Sequence, residues 1–198
     1  MSKVVDYYFT PISPWAFLGA GQFRSMTRSL GVEVRVKPVK MGEVFKRTGG
    51  LPLAERPEAR KAYRLQELER WSKRRRIPLK LQPAHFPTSD LLASRFVLAV
   101  EALGGDPLAL SQALGRAVWV DERDIADTAT LQAIVATAGQ DRDAVLAKAN
   151  DPAIEARLEE LTEEAIKRGV FGAPTYVVGD QLFWGQDRLQ FLKAALEE

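Results

Sequence analysis

The sequence predicts an α/β fold in which the two ends of the chain build one four-stranded sheet and a block of helices fills the middle. Three observations predict it. Residues 4–39 read β–α–β, residues 175–195 read β–β–α, and nearly everything between 58 and 167 carries helical periodicity.

The first strand is the β-branched and aromatic run Val4-Val5-Asp6-Tyr7-Tyr8-Phe9, which breaks at Pro11. A helix follows over about Pro14–Ser29, with Ser13 at the N-cap, Pro14 at the first helical position, and Trp15, Leu18 and Phe23 as apolar positions. Gly31 turns the chain into a second, alternating strand over Val32–Val39. The right-handed crossover rule makes these two strands parallel neighbours. Lys40–Pro57, with Gly42, Gly49, Gly50, Pro52 and Pro57, reads as a long loop holding at most one helical turn at Val44–Arg47.

From Glu58 to Arg76 the pattern is helical, with Leu65, Leu68 and Trp71 on one side. The run Lys73-Arg74-Arg75-Arg76 reads as a solvated helix C-terminus whose cations complement the dipole, since no aromatics interleave with it as in a nucleic-acid patch. Leu79–Pro87 is extended and proline-punctuated, with His85 and Phe86 inside it. Further helices are predicted over Asp90–Leu103 (capped by Ser89), Pro107–Val118, Thr130–Gly139 and Arg142–Lys148. Another starts at Asp151-Pro152 and closes at Gly169. The tail then reads as strand Thr175–Val178, a Gly179-Asp180 hairpin turn, strand Gln181–Trp184, and a last helix opened by Gly185-Gln186-Asp187-Arg188 and running through Ala195.

Head and tail joined in one sheet make a thioredoxin-type domain of residues 1–57 and 168–198, with 58–167 as an inserted helical domain. That fold places a cis proline at the Gly-Ala-Pro-Thr segment, Pro174, before the third strand.

Composition removes several function classes. Apolar residues make up 46% and charged residues 27%, as in an ordinary globular protein. Lys and Arg number 28 against 26 Asp and Glu, a net charge of +2, so no global basic field argues for nucleic acid. No basic segment leads an apolar stretch and no apolar run approaches ~18 residues, so the expectation is a cytoplasmic protein with no membrane partner. Cysteine is absent, which excludes disulfides, thiolate metal sites and a catalytic thiol of the chain's own. With His85 the single histidine, no metal site is expected either. Any sulfur chemistry here uses a thiol from outside.

One place is suited to such chemistry. A strand running into a helix N-terminus converges free backbone N–H groups and the positive end of the dipole, and Ser13 adds a hydroxyl there. From the residues alone, Ser13 is either a plain cap or a cap that also does chemistry. Trp15, Phe17, Trp71, His85 and Phe86 are either core residues or walls of a pocket for an aromatic molecule, and Asp187 reads as a plain N-terminal cap.

Three segments carry a resemblance: Phe9-Thr10-Pro11-Ile12-Ser13-Pro14-Trp15-Ala16-Phe17-Leu18, Gly169-Val170-Phe171-Gly172-Ala173-Pro174-Thr175, and Phe183-Trp184-Gly185-Gln186-Asp187-Arg188-Leu189. In this order and spacing they resemble the 2-hydroxychromene-2-carboxylate isomerase family, kin to kappa-class glutathione transferases and DsbA-type oxidoreductases. Where a DsbA-like protein carries Cys-Pro-x-Cys, this chain has Ser13-Pro14-Trp15-Ala16. The resemblance implies a DsbA/kappa-type fold, glutathione as cofactor and a homodimer. The implied reaction interconverts 2-hydroxychromene-2-carboxylate and trans-o-hydroxybenzylidenepyruvate in naphthalene-type aromatic breakdown.

It also implies roles. Ser13 would be the catalytic hydroxyl that holds the glutathione sulfur as a thiolate. Ala173, before Pro174, would bond the cysteinyl backbone. Gln186 and Asp187 would meet the γ-glutamyl end, and Arg60, in preference to Lys61, the glycyl carboxylate. The family often carries Asn after the loop glycine, where this chain has Gly50. A kappa-like transferase conjugating electrophiles and a non-catalytic thioredoxin-like binding module remain the alternative readings.

Overall fold

The structure, a computed structural model, describes residues 3–198. β1 (Val4–Phe9), α1 (Pro14–Ser29) and β2 (Glu33–Pro38) form the head; β3 (Thr175–Val178), β4 (Gln181–Trp184) and α9 (Leu189–Glu197) form the tail. The sheet order is β2-β1-β3-β4, with β1 parallel to β2 and the other pairs antiparallel. This is the thioredoxin fold expected from joining the two chain ends in one sheet, with the β1–β3 pairing linking the parallel pair of the head to the hairpin of the tail. Gly179, at φ 56°, adopts the left-handed conformation the tight β3–β4 hairpin demands.

Between β2 and β3 run α2 (Met41–Thr48), α3 (Glu58–Arg75), α4 (Leu91–Ala102), α5 (Pro107–Trp119), α6 (Thr128–Thr137), α7 (Arg142–Ala149) and α8 (Pro152–Lys167). Asp106, Asp127, Asp141 and Asp151 cap α5 to α8 by accepting hydrogen bonds from first-turn amides. None of the described helices is long and apolar enough to cross a membrane.

Two readings of the sequence are corrected. The stretch read as loop contains the full helix α2, whose Val44 is buried with Tyr8, Val39, Ala165, Val170 and Val177. Its glycines misled, because Gly49 at φ 80° is the left-handed C-cap of α2 rather than part of a coil. Ser89 is exposed and does not cap α4; Asp90 occupies that position and makes no side-chain cap bond, since its carboxylate accepts the hydroxyl of Thr10 instead.

Each sheet face is covered. On one, Tyr7 of β1 faces its register partner Tyr176 of β3 with ring centroids 5.3 Å apart. Phe23 of α1 wedges against both, at 5.0 Å and 4.6 Å, and Leu189, Leu192 and Leu196 of α9 close the cluster. The Tyr8 face, under α2 and α8, holds charges as well. Lys37 pairs with Asp6 at 2.9 Å and Glu164 at 2.6 Å, and Arg168 reaches Asp6 at 2.7 Å. Tyr8 donates to Glu164 at 2.5 Å, and burial raises its phenol well above the usual range.

Phe23 is fully buried, and truncation would leave a cavity between two rings that cannot close it. Phe23→Ala is expected to lower stability by about 3–5 kcal/mol in urea unfolding.

Candidate active site

The site begins where β1 ends. Thr10 is buried, its hydroxyl donating to Asp90, and its carbonyl accepts the Ser13 amide at 3.0 Å. Ser13 is extended (φ −73°, ψ 118°), and its Oγ accepts the Ala16 amide at 3.2 Å, the expected N-cap geometry. The same hydroxyl donates to the Ala173 carbonyl at 3.4 Å. The Ala173–Pro174 bond is cis, and the Pro174 carbonyl accepts the Gly185 amide at 2.8 Å. On the other side, the buried Trp119 donates its indole N–H to the Ile12 carbonyl at 3.2 Å. The segment ahead of α1 is therefore held from several directions, with a hydroxyl at the positive end of a 16-residue helix.

Beside it opens a cleft of about 650 Å³ between α3, the start of α1 and the turn after β4. Trp15, Tyr63, Trp71 and Trp184 give it aromatic walls. Arg56, Arg60 and Arg64 line the α3 side, and Gln186, Asp187 and Arg188 line the opposite turn. Positions 60, 63, 64, 67 and 71 recur at helical spacing, which is why one face of α3 supplies so much of the wall. Ala173 is also on the wall; Ser13 and Pro174 are not, and Ser13 joins the cleft through its bond to Ala173 and its neighbour Trp15.

The turn after β4 is fixed from α3. Arg75 donates to the Gln186 side-chain oxygen from Nη2 at 2.7 Å and Nε at 3.3 Å, reaches the Gln186 carbonyl at 3.4 Å, and donates to Gln22 of α1. Gln186 is buried, and its backbone packs so near Gly19 of α1 that a Cβ there would come within 2.7 Å of the Gln186 Cβ. Asp187 follows in a 3-10 turn (Gln186–Arg188) and is exposed on the cleft, paired with Arg188 at 3.2 Å. It does not cap the last helix as the sequence implies; the residue at the N-cap of that turn is Gly185.

Of the residues singled out in the sequence, Trp15, Arg60, Trp71, Ala173, Gln186 and Asp187 converge on the cleft. Lys61 turns away to Glu58 at 2.9 Å. Phe17 belongs to the core, packed on Gly115 of α5 so closely that a Cβ there would lie 2.8 Å from its ring. His85 is exposed and lies outside the cleft wall, and Phe86 packs in a tilted pair against Trp119 at 4.7 Å, also behind the wall. At Gly50, where the resemblance led to an expected Asn, a side chain would run into the Phe45 ring. Arg56, Tyr63, Arg64 and Trp184 were not picked out by the sequence, and Arg75 was taken for part of a solvated basic end. The i, i+4 spacing of Arg60 and Arg64 on the predicted helix is the available signal; Arg56, ahead of Pro57, carries none. Among the described residues no group of His, Asp and Glu could hold a metal ion.

A family model described as DSBA-like thioredoxin domain matches residues 4–197, which sets the class. A 2-hydroxychromene-2-carboxylate isomerase of Sphingobium xenophagum is 32% identical, covering 99% of both chains. A solved structure of 2-hydroxychromene-2-carboxylate isomerase superposes with a TM-score of 0.81 at 28% identity, covering 98% of this chain and 94% of that one. Glutathione S-transferase kappa 1 of Rattus norvegicus is 23% identical over 99% of this chain and 92% of its own. The chain belongs to the 2-hydroxychromene-2-carboxylate isomerase family within the DSBA-like thioredoxin domains, and is an enzyme of that isomerase type.

Two measurements probe the scaffold. Arg75→Met leaves the Gln186 amide oxygen buried without its donor, and is expected to cost about 1–3 kcal/mol and to speed hydrogen exchange at the Gln186 and Asp187 amides. Arg75→Lys should restore little, because one ammonium cannot repeat the forked geometry.

Asp90 tests the other end. Burial raises its carboxyl to about 6. The folded chain thus holds this proton more tightly than the unfolded one. The resulting stability is full below the unfolded value near 3.8 and is lost as pH climbs through 6. Asp90→Asn should therefore gain on the parent by about 3 kcal/mol between pH 3.5 and pH 7, read from urea midpoints at each pH.

Proposed function

We propose that this protein is a glutathione-dependent isomerase that interconverts 2-hydroxychromene-2-carboxylate and trans-o-hydroxybenzylidenepyruvate in naphthalene-type aromatic breakdown. The observation that carries the reading is the Ser13 hydroxyl, capped on α1 and bonded to Ala173 at the edge of a cleft with both aromatic and cationic walls.

The donor set fits glutathione. That tripeptide bears two carboxylates, one ammonium and one thiol, and the cleft sets arginines on α3 against a carboxylate, Asp187, on the facing turn. In this reading Arg60 takes the glycyl carboxylate and Asp187 the ammonium. The amides at Gln186 and Asp187 take the neighbouring carboxylate, and the backbone of Ala173, before cis-Pro174, pairs with the cysteinyl unit.

Bound there, glutathione supplies a sulfur nucleophile that adds to the conjugated ring system and later leaves unchanged, so no redox equivalent is consumed. The work of the chain is to make that sulfur anionic. A free thiol titrates near 8.5, and a donated hydrogen bond from Ser13 with a helix N-terminus behind it lowers that by one to two units, about 1.4–2.7 kcal/mol. For this the Ser13 hydroxyl rotates from the Ala173 carbonyl, a long bond at 3.4 Å, to the sulfur. Arg60 of α3 adds positive potential, and the tryptophan walls exclude water and hold a flat ring. The resemblance also carries a homodimer, and the cytoplasmic setting follows from the sequence.

The kappa transferase among the relatives favours one other reading, conjugation of electrophiles. Counting free thiol during turnover separates them: isomerisation leaves it constant, and conjugation depletes it. Ser13→Ala is expected to raise the pKa of bound glutathione by one to two units in its ultraviolet thiolate band and to slow turnover at neutral pH about 10- to 100-fold. Full turnover by Ser13→Ala would overturn the proposed role.

A further inference from the structure

Arg64 of α3 lines the cleft with its guanidinium 5.4 Å over the Phe86 ring and 5.7 Å over the Trp119 indole. Among the described residues no carboxylate lies within ion-pair reach of it, whereas Glu67, one turn along, is paired with Arg70 at 2.5 Å. Its charged companions in this part of the cleft are Arg56 and Arg60. Burial and the charge of Arg56 lower its pKa to about 10, so the cation lacks the compensation that an opposite charge would bring.

The platform beneath it is rigid. Phe86 and Trp119 pack with ring centroids 4.7 Å apart and planes tilted by 48°, and the Trp119 indole N–H is fastened to the Ile12 carbonyl, one residue before Ser13. The rings offer this guanidinium a cation–π contact and no hydrogen-bond acceptor, so its N–H donors are available to another partner. Those donors match a carboxylate in a two-point fork.

We propose that Arg64 is the seat for the carboxylate of the organic substrate, and so the residue by which the cleft selects flat, fused-ring carboxylates. The assignment rests on the isomerase reading of this cleft and deepens it. It separates the arginines of α3 by role, with Arg60 serving the cofactor and Arg64 the substrate. The aromatic platform belongs to the seat too. Phe86 acts through Arg64 from behind the wall, as a positioning residue.

The test uses an unreactive pair of probes, coumarin-3-carboxylate and coumarin-3-carboxamide, titrated by quenching of tryptophan fluorescence. Glutathione affinity is measured separately by calorimetry. The parent protein is expected to bind the carboxylate at least about 10-fold more tightly than the carboxamide. Arg64→Gln should abolish that preference by weakening the carboxylate about 10- to 100-fold, with glutathione affinity held within about twofold. Arg64→Lys should recover part of the preference and confirms a charge effect in a side chain that still packs. In turnover, the KM for 2-hydroxychromene-2-carboxylate should rise in Arg64→Gln far more than kcat falls.

Equal binding of the two probes by the parent protein overturns the seat, even where glutathione binds tightly. So does an Arg64→Gln protein that loses glutathione but keeps its preference for the carboxylate. A preference that vanishes in Arg64→Gln supports the seat, even in a protein that fails to bind glutathione.

Discussion

The antiparallel pairing of β1 with β3 is the constraint on which the candidate site depends. Tyr8 lies opposite Thr175, so the segment leaving β1 and the segment entering β3 emerge side by side at one end of the sheet. That register alone brings Ser13 to the Ala173 carbonyl across 160 residues of sequence. The Tyr7, Phe23 and Tyr176 rings stabilise the pairing from one face, and the ion pairs of Lys37 with Asp6 and Glu164 tie down the other. A buried charge group of this kind adds little net stability, but it disfavours every register that would leave one of its members alone.

What could be read ahead of the structure follows from how local each cause is. The parallel β1–β2 pair, the α1 cap at Ser13 and the β3–β4 hairpin depend on neighbours in sequence, and their residue types announce them. The β1–β3 pairing is not local and follows only from joining the two chain ends in one sheet. Helix α2 is not local either: no side chain caps its start, and what holds it is Val44 buried under the sheet, a contact made across the fold. Asp90 shows the same limit. Its place before α4 makes it a natural cap, yet its carboxylate is committed to Thr10, 80 residues away.

The cleft divides along the same line. Trp15, Arg60, Trp71 and Asp187 were recoverable because motif and resemblance pointed at them. Arg75 looked like one more cation in a basic run, and nothing local distinguishes it from Arg74 or Arg76. Its partner Gln186 sits 111 residues further on, and only the fold brings the two together. Phe17 and Trp15 are two apart on one helix, so they face different ways; one enters the core against Gly115 and the other the cleft.

The wall of α3 and the Ser13–Ala173 contact come from different parts of the chain and are held by different forces. Registry between strands sets the distance from hydroxyl to carbonyl, and Asp90 and Trp119 of the intervening block add to the hold on the Ser13 segment. The residues of the helical block that only line the cleft can consequently change, exchanging one arginine or tryptophan for another, while Asp90, Trp119 and Arg75 keep the reactive corner and its facing turn in place. Descendants of such a protein inherit a constant chemistry and a replaceable gatekeeper, an arrangement that allows new molecules to be admitted before any new reaction has to be invented.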